Sequence, residues 1–575
     1  MDCREKIVSE DYADFLIGID NEFRGVQDMY ADQCVQFLSV NYAVIYNELA
    51  PFDKNTRASE IGTVEGKKLL SYGYTEIPKL YNLMDTAALE ETGAIRLQNF
   101  KGLELKGNNV IIGFITDGID VYHSAFRFSN GDTRIIGAWD QTNQNLSAPY
   151  NLIYGSYLTR EMINRELREE NSPILESLVR DSEHGTFEAG IAAGNSSLEN
   201  GFSSAAPNAD IAVVKLKPAK KYLRKYYYAD DDAKLYQEND IMTAISFLTQ
   251  LAMEFQKPLI ICQVTGTSFG SHNGFSLVGD LLNCVGQRPG IGVCVACGNE
   301  GNARHHYSGT IQTQGMYEDV ELRVEEELEG ISMELWGESP DLFSLEIISP
   351  TGERIPKIAI GIQGYNEFEF LFQNSRIAVK YEIVEKQSGG ELIELKIHNP
   401  SAGVWTFRIY GDIILNGQFN IWLPTTEILS ENTYFLRPDP FTTLTIPSDA
   451  KIPLAVAAYN NDTDGIYIDS GRGFITSFDA KPTLAAPGVN IISTAENNSY
   501  SEVSGTSVAT AITAGIMAQF MEWGVNRGID TNMNTTEIKS YLIRGADRRN
   551  TITYPDREWG YGEINAFRSL DILKN

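Results

Sequence analysis

A serine and a histidine stand next to runs of small residues, in settings that suit nucleophilic catalysis. Ser507 lies in the segment Ser-Gly-Thr-Ser-Val-Ala-Thr-Ala, where a turn enters an apolar helix. The dipole of such a helix and its first backbone N–H groups favour a negative charge that develops beside the serine. His184 lies in Glu-His-Gly-Thr-Phe-Glu, before a second helix of small residues. An imidazole titrates near neutral pH, so it can act as the base that a serine nucleophile needs.

Two further segments follow the ends of buried strands. Asn299, in Ala-Cys-Gly-Asn-Glu-Gly, has a side-chain amide that can donate a hydrogen bond to an oxyanion. The segment Thr-Asp-Gly-Ile-Asp at 116–120 places carboxylates at the edge of a parallel sheet where function usually lies. Taken singly, each segment also has a structural explanation as a helix cap, a loop histidine or a turn asparagine. Together they predict acyl transfer through a serine.

Apolar runs and helical stretches alternate around these segments. Continuous apolar runs, of the kind buried on both faces of a parallel sheet, occupy residues 110–115, 211–214, 258–262, 291–296 and 452–458. Helical patterns separate them, as at Asp240 to Glu254, and another runs from Thr506 to Trp523. This alternation predicts an α/β domain with a parallel sheet.

Two regions do not follow the alternation. Residues 1–95 mix strand-like runs with helical patterns and predict a small α+β unit, in which residues 77–92 form a helix. Residues 309–437 alternate apolar and polar side chains with period two, and turn signals separate the runs. This pattern predicts an antiparallel β-sandwich or jelly roll. We therefore expect the α/β domain to comprise residues 96–308 and 438–575, with the sandwich inserted.

The order of the four segments resembles that of the subtilisin-like serine proteases, the subtilases. Two supporting stretches also match, Ala-Ala-Pro-Asn-Ala-Asp-Ile from 205 and Ala-Pro-Gly-Val-Asn-Ile-Ile-Ser-Thr from 486. The resemblance covers about residues 95–308 and 438–575. It implies an endopeptidase that acts on proteins or peptides, with Ser507 as nucleophile, His184 as general base and Asn299 as oxyanion donor.

A narrower resemblance is to the Csp-type subtilases of spore germination. It rests on the inserted β-domain and on the segment Ile-Pro-Lys-Leu-Tyr-Asn-Leu-Met-Asp-Thr from 77. It implies that residues 1–95 are a prodomain, an intramolecular inhibitor or chaperone, which cleavage near residues 90–100 would remove. It also implies an association with spores.

The catalytic aspartate of the family is replaced in this chain. The family has Asp-Thr-Gly-Ile-Asp where this chain has Thr-Asp-Gly-Ile-Asp, so Thr116 occupies the catalytic position and Asp117 comes one residue late. One residue along a strand turns a side chain to the opposite face. Asp117, the adjacent candidate acid, is therefore expected to point away from His184. A threonine can bond an imidazole, but it carries no charge to stabilise imidazolium.

Other positions around the site also depart from the family pattern. Val264, Thr265 and Gly266 stand where the family has the Ser-Leu-Gly that lines its substrate groove. Phe187 and Glu188 stand where small or basic residues are usual in the helix that follows the histidine. We interpret these changes together as a relaxed demand on catalysis.

Composition excludes several classes of function. The net charge of −30 disfavours a nucleic-acid partner, which needs clustered Lys and Arg. The first twenty residues lack a basic region followed by an apolar run, so we expect no secretory signal and a cytoplasmic site of synthesis. No apolar run reaches about 18 residues, so no membrane span is expected. Six cysteines are too few for a disulfide scaffold, and Cys294 and Cys297 are predicted to be buried thiols, which favours a reducing compartment.

Two functional hypotheses remain open. The first is a serine endopeptidase with a degenerate aspartate position and weak or conditional activity. The second is a pseudoprotease that acts as a binding or regulatory module, with a role in germination. An unrelated α/β-hydrolase or P-loop protein is excluded, because the chain has neither a GxSxG nor a GxxxxGK[ST] motif. With six histidines and no ligand cluster, neither a metal nor another cofactor is expected.

Overall fold

A computed structural model describes residues 2–19, 34–38, 41–49, 67–81, 92–169, 171–197, 199–361, 365–475 and 480–572. The helices, in chain order, are α1 (Cys3–Val8), α2 (Ala94–Asn99), α3 (Arg160–Glu166), α4 (Pro173–Val179), α5 (Glu183–Ala193), α6 (Lys221–Tyr226), α7 (Glu238–Phe255), α8 (Leu277–Gly286), α9 (Thr506–Met521), α10 (Thr535–Gly545) and α11 (Ala566–Asp571). The strands are β1 (Tyr12–Gly18), β2 (Val35–Phe37), β3 (Tyr42–Glu48), β4 (Leu80–Tyr81), β5 (Ile111–Thr116), β6 (Ile135–Asp140), β7 (Ser156–Thr159), β8 (Asp210–Lys215), β9 (Tyr236–Gln237), β10 (Leu259–Gln263), β11 (Ile291–Ala296), β12 (His306–Thr310), β13 (Tyr317–Val324), β14 (Gly330–Gly337), β15 (Leu342–Ile348), β16 (Arg354–Ile355), β17 (Tyr365–Glu369), β18 (Arg376–Glu382), β19 (Glu391–His398), β20 (Gly403–Ile413), β21 (Gln418–Trp422), β22 (Tyr434–Phe435), β23 (Leu454–Asn460), β24 (Gly465–Ile466), β25 (Leu484–Pro487), β26 (Ile491–Ala495) and β27 (Ser499–Val503).

The predicted parallel sheet forms the centre of the molecule. Its strands run in the order β24-β23-β11-β10-β5-β8-β6-β7, and β25 also pairs with β23. The inner pairs are parallel, whereas β7 and β24 add antiparallel edges. This arrangement puts the carboxyl ends of β5, β10 and β11 side by side, directly before the segments singled out in the sequence.

The central strands are apolar throughout because helices cover both faces of the sheet. Ile112 and Phe114 of β5 pack on one face with residues of α5 and α9. Ile111 and Ile115 pack on the other face with residues of α7 and α8. The side chain of Thr116, two residues after Phe114, therefore lies on the α5 and α9 face. Burying a sheet on both sides holds its strand ends rigidly, which is what a catalytic site needs.

The period-two region forms the predicted antiparallel sandwich. One sheet has the order β12-β21-β14-β19-β18-β17, and the other has the order β16-β15-β20-β13-β22. Alternate side chains from both sheets, among them Leu322, Phe343 and Trp405, form a core separate from that of the parallel sheet. The strands of the sandwich thus lie between His306 and Phe435.

The N-terminal unit packs against the outer face of α7. Its three strands form an antiparallel sheet in the order β1-β3-β2. A buried ion pair joins Asp14 to Lys220, and the second carboxylate oxygen of Asp14 accepts hydrogen bonds from Gln237 and Asn239, both at 3.0 Å. Polar groups buried in this way are costly unless they are paired, so the contact surface of the unit is specific.

The structure changes two local expectations and confirms a third. Leu80 and Tyr81 form strand β4, not part of a helix, because they pair with β9; residues 82–91 of the predicted helix lie outside the described part of the chain. Cys294 and Cys297 are buried thiols as predicted. Cys3 and Cys34 are joined as a disulfide, which weakens the argument for a reducing compartment. Among the described residues, no helix is both long and apolar enough to cross a membrane.

Candidate active site

His184 lies in the first turn of α5, and Asp117 caps that turn from the end of β5. The Asp117 carboxylate accepts the backbone N–H of His184 at 3.3 Å and that of Gly185 at 2.8 Å. The first N–H groups of a helix have no partner within the helix, and a carboxylate there also favours the helix dipole. Asp117 is therefore tied to the backbone of the histidine segment.

Asp117 is predicted to point away from His184, but its carboxylate reaches the backbone of His184 and Gly185. Strand β5 ends at Thr116, so the alternation of faces does not continue through Asp117. The carboxylate turns back to the start of α5. Its charge remains close enough to His184 for the histidine to lower the pKa of Asp117. Burial acts in the opposite direction and prevails, raising that pKa to about 6.

Thr116 is fully buried against the histidine helix. A Cβ built on Gly185 would lie 2.4 Å from Thr116 Cγ2 and 2.0 Å from the carbonyl oxygen of Gly118, so only glycine fits this contact. The Thr116 hydroxyl donates to Asp117 Oδ1 at 3.3 Å. The threonine thus packs beneath the first turn and supports the cap.

The ring of His184 is bonded to a different carboxylate. Nδ1 of His184 and Oε1 of Glu188 are 2.5 Å apart, and the two residues lie one turn apart on α5. The Glu188 side chain is 0% exposed and that of His184 is 15% exposed. When Glu188 is ionised it can only accept, so Nδ1 of a neutral imidazole then donates the proton and Nε2 holds the lone pair. Phe187 lies against the other side of the ring, with centroids 4.5 Å apart.

Ser507 is the second residue of α9, a helix that is buried along its whole length. Small residues let this helix approach its neighbours closely: a Cβ on Gly515 would lie 2.4 Å from the Cβ of Ala205, in the predicted supporting stretch. Ser507 Oγ is buried and has no hydrogen-bond partner within the described part of the chain. The bond from Ser507 to His184 is therefore not formed in this structure, although α9 packs against α5.

Asn299 is bonded to the residue before the serine. Its Oδ1 accepts from the backbone N–H of Thr506 at 3.2 Å and from the Thr506 hydroxyl at 3.1 Å. The same hydroxyl accepts from the Gly298 N–H at 3.2 Å. Because its oxygen is engaged, Asn299 has its Nδ2–H groups available for a partner on the other side. This is the orientation that an oxyanion donor requires.

A cleft of about 740 Å³ opens beside His184. Four carboxylates and one lysine are among the side chains that line it: Asp117, Glu183, Glu427, Glu502 and Lys234. Ser504 also lines it, three residues before the buried Ser507. Val264, Thr265 and Gly266 are buried at the end of β10 and are not part of this lining. The buried hydroxyl of Thr265 has a partner there, since Gln263 Nε2 donates a hydrogen bond to Thr265 Oγ1 at 2.5 Å.

The inserted region contributes Glu427 to the cleft, and Glu300, the neighbour of Asn299, anchors this part of the region. Glu300 is buried, and its Oε1 accepts from the backbone N–H and the hydroxyl of Thr426, at 3.1 and 3.0 Å. These bonds hold the end of the inserted region against the Asn299 loop. Glu427, the next residue, consequently reaches the cleft, where burial and the charge of Glu300 raise its pKa and His184 lowers it.

The N-terminal unit pairs with a strand that lies next to the cleft. Strand β4 pairs antiparallel with β9, with Tyr81 opposite Tyr236. Lys234, two residues before β9, lies 3.9 Å from Asp117 Oδ2.

Sequence reasoning identified the segments that meet at this site but not all of its residues. The structure brings His184, Asp117, Thr116 and Asn299 to neighbouring strand and helix ends, with Ser507 on the helix packed against α5. It adds Glu188, whose i,i+4 spacing from the histidine was the available signal. It also adds Glu427 and Lys234, which no local pattern marks. The described residues contain no cluster of three or more potential metal ligands.

Comparison with known proteins agrees with this geometry. The sequence model described as the Subtilase family matches residues 107–320 and 436–562. The solved structure of the CspB protease of Clostridium perfringens superposes with a TM-score of 0.74 and 29% sequence identity, covering 84% of this chain and 96% of that one. Both findings confirm the resemblance and the α/β fold class with its additional units.

Curated relatives include much larger proteins. A PII-type proteinase of Lactococcus lactis subsp. cremoris is 22% identical over 522 residues, which is 82% of this chain. Serine protease AprX of Bacillus subtilis (strain 168) is 31% identical over 128 residues, which is 19% of this chain. In each case the match spans about a quarter, 26%, of the relative's own length.

Proposed function

The chain belongs to the subtilase family, and from this premise we propose that it is a serine endopeptidase that cleaves proteins or peptides through an acyl-enzyme on Ser507. The observation that carries the proposal is the bonded imidazole of His184: its Nδ1 lies 2.5 Å from Glu188 Oε1, and with that carboxylate ionised Nδ1 donates, which leaves Nε2 to accept. A histidine in that tautomer is ready to take a proton from a serine hydroxyl.

Each site residue has a role in the proposed reaction. Nε2 of His184 takes the proton of Ser507 Oγ as the oxygen attacks the scissile carbonyl carbon. The N–H groups at the start of α9 and Nδ2 of Asn299 stabilise the oxyanion. The imidazolium then protonates the leaving amine as the C–N bond breaks. Water repeats the sequence to release the acid and regenerate Ser507.

We propose that activity is conditional on substrate binding. Ser507 Oγ is buried and makes no hydrogen bond within the described residues, so the nucleophile and the base must come together when a peptide fills the cleft. Catalytic hydrogen bonds commonly tighten only in the complex with substrate. The family pattern puts residues 264–266 in the substrate groove. Because these residues are buried, they would have to become accessible in the same step.

The cleft charges favour basic substrates. Four of the lining side chains are carboxylates, and Lys234 is the cation among them. A cleft lined by one sign of charge concentrates ligands of the opposite sign. We therefore propose peptides with Lys or Arg near the scissile bond as the substrate class.

The N-terminal unit is proposed to be a prodomain that acts as intramolecular inhibitor or chaperone, as the resemblance to Csp-type subtilases implies. Its support is the β4–β9 pair, which joins the unit to a strand that begins two residues after Lys234 of the cleft. Thr92, Ala94 and Leu97 are buried, which protects their peptide bonds. Self-cleavage near residues 90–100 is therefore expected at the ends of α2. The proposed domains are the prodomain at 1–95, the inserted sandwich at 309–437 and the α/β domain at 96–308 and 438–575.

A pseudoprotease is the second candidate, with a binding or regulatory role in germination. Thr116 at the aspartate position and the unbonded Ser507 favour it.

Peptide hydrolysis decides between the two candidates. Basic peptides and a denatured protein would be incubated with the wild type, Ser507→Ala and His184→Ala, and product termini identified by mass spectrometry. Hydrolysis by the wild type alone supports the peptidase; equal, background hydrolysis in all three contradicts it.

A further inference from the structure

We propose that Glu188 is the positioning acid of this site: it replaces the missing aspartate from the histidine's own helix. The proposal rests on the proposed function, in which His184 is the base. It assigns a defined role to a residue that the family pattern marks only as unusual.

The geometry that carries the proposal is the short bond on α5. Nδ1 of His184 and Oε1 of Glu188 are 2.5 Å apart, within the range of a charge-assisted hydrogen bond. Glu188 is fully buried, so its charge is little screened by water. Residues four apart on a helix face the same side, which fixes the bond without help from another element.

The residues at the usual acid position are engaged elsewhere. Thr116 packs on Gly185 and donates to Asp117. Both oxygens of Asp117 accept backbone N–H groups at the start of α5. Glu188, one turn beyond the histidine, puts a carboxylate at Nδ1, while the strand-end Asp117 caps the helix.

The proton balance follows from this arrangement. When Ser507 Oγ–H transfers its proton to Nε2, the imidazole becomes a cation and Nδ1 keeps its own proton. The Glu188 carboxylate stays ionised and stabilises that cation. The cation then gives the Nε2 proton to the leaving nitrogen, so Glu188 ends each step unchanged.

Other charged groups face the imidazole and must be held constant in any test. Asp117 approaches from the end of β5, Glu427 from the inserted region and Lys234 from before β9. Glu183 lies on α5 itself, beside the histidine. The variant Glu188→Gln changes none of them and preserves the shape of the buried side chain.

The kinetic test compares Glu188→Gln with the wild type on a basic peptide. We expect kcat to fall on the order of 10³- to 10⁴-fold, because an amide can donate to Nδ1 and stabilise the wrong tautomer. KM should change little. Without the carboxylate, imidazolium is less stable, so the acidic limb of the pH profile should move to lower pH by at least about one unit. The matched control is Glu391→Gln, a buried glutamate of the sandwich, which should behave as wild type.

A relocation variant separates a positioning role from a packing role. Glu188→Val should lose activity. Adding Thr116→Asp with Asp117→Thr should raise the activity of that variant at least about tenfold, because the acid returns to the family position. Activity of Glu188→Gln within about threefold of wild type, with the acidic limb unmoved, would overturn the proposal. Loss of activity with neither a pH shift nor recovery would also overturn it, since Glu188 would then be a packing residue.

A second measurement does not depend on turnover. The imidazole of His184 would be titrated by NMR in Ser507→Ala and in the same variant with Glu188→Gln. We expect the titration midpoint to be lower without the carboxylate. Equal midpoints would overturn the role of Glu188 whatever the activity, whereas a shift in a protein without peptidase activity would sustain that role and refute only the proposed function.

Discussion

Nδ1 of His184 and Oε1 of Glu188 lie 2.5 Å apart on successive turns of one helix. Both residues thus belong to one helix, whereas Ser507 lies on another. The strand end that would ordinarily provide the acid instead caps the helix through Asp117. The carboxylate bonded to the imidazole is that of Glu188, while Thr116 of β5 packs on Gly185.

Restoring the family aspartate alone should not activate the protein. Thr116→Asp places a second carboxylate in a fully buried position beside Asp117, while Nδ1 remains bonded to Glu188. We expect no rise in kcat/KM and a loss of about 3 kcal/mol of unfolding free energy, measured by urea denaturation. Thr116→Val, which keeps the shape without the charge, is the control. A tenfold gain in kcat/KM from Thr116→Asp would refute this expectation.

The cap makes folding stability depend on pH. Burial raises the pKa of Asp117 to about 6, above its value in the unfolded chain. At a pH between those two values, the folded state therefore holds a proton that the unfolded state has released. Its contribution to stability is therefore full at low pH and is lost as the pH rises through about 6. Asp117→Asn lacks this titration.

The corresponding measurement is urea denaturation of Ser507→Ala with and without Asp117→Asn, from pH 4 to 8. The unfolding free energy of the Asn variant relative to the parent should rise by up to about 3 kcal/mol across that range. A difference that does not vary with pH would show that Asp117 does not titrate as described.

Asn299 should affect the chemical step and not substrate binding. We expect Asn299→Ala to lower kcat on the order of 10²- to 10³-fold with KM nearly unchanged, because an oxyanion donor acts mainly in the transition state. Asn299→Asp should be at least as damaging, since a carboxylate repels the oxyanion. Steady-state kinetics on one peptide checks both. An unchanged kcat in Asn299→Ala would remove Asn299 from the site.

The acidic cleft should show itself in the salt dependence of hydrolysis. Glu427→Gln removes one lining carboxylate and should lower kcat/KM for a Lys- or Arg-containing peptide about two- to fivefold at low ionic strength. The effect should shrink as salt is added, and a neutral peptide of the same length serves as control. Equal effects on both peptides would argue against charge selection.

Much of the fold follows from the sequence because its signals are local and strong. Runs such as 110–115 are apolar without interruption, which only a sheet covered on both faces explains. Period-two alternation between 309 and 437 likewise leaves few alternatives to an antiparallel sandwich. The small-residue helix after Gly505 also follows directly, since close helix packing needs such residues.

The rest depends on geometry that a pattern does not contain. Face alternation fails for Asp117 because β5 ends one residue earlier. Glu188 stood out as a departure from the family, and its helical spacing from His184 acquires meaning only when the ring is seen bonded to it. Cys3 and Cys34 are 31 residues apart, a separation that says nothing of their distance in space.

The most direct test of a working Ser507–His184–Glu188 site is the labelling of Ser507 by a fluorophosphonate, which reacts with a serine activated by its histidine. Wild type, Glu188→Gln and Ser507→Ala would be labelled in parallel at several pH values, and the modified peptide identified by mass spectrometry. The account predicts labelling at Ser507 in the wild type, labelling slowed at least about a hundredfold in Glu188→Gln, and none at that position in Ser507→Ala. Equal labelling of the wild type and Glu188→Gln, or a wild type that does not react at all, would contradict it.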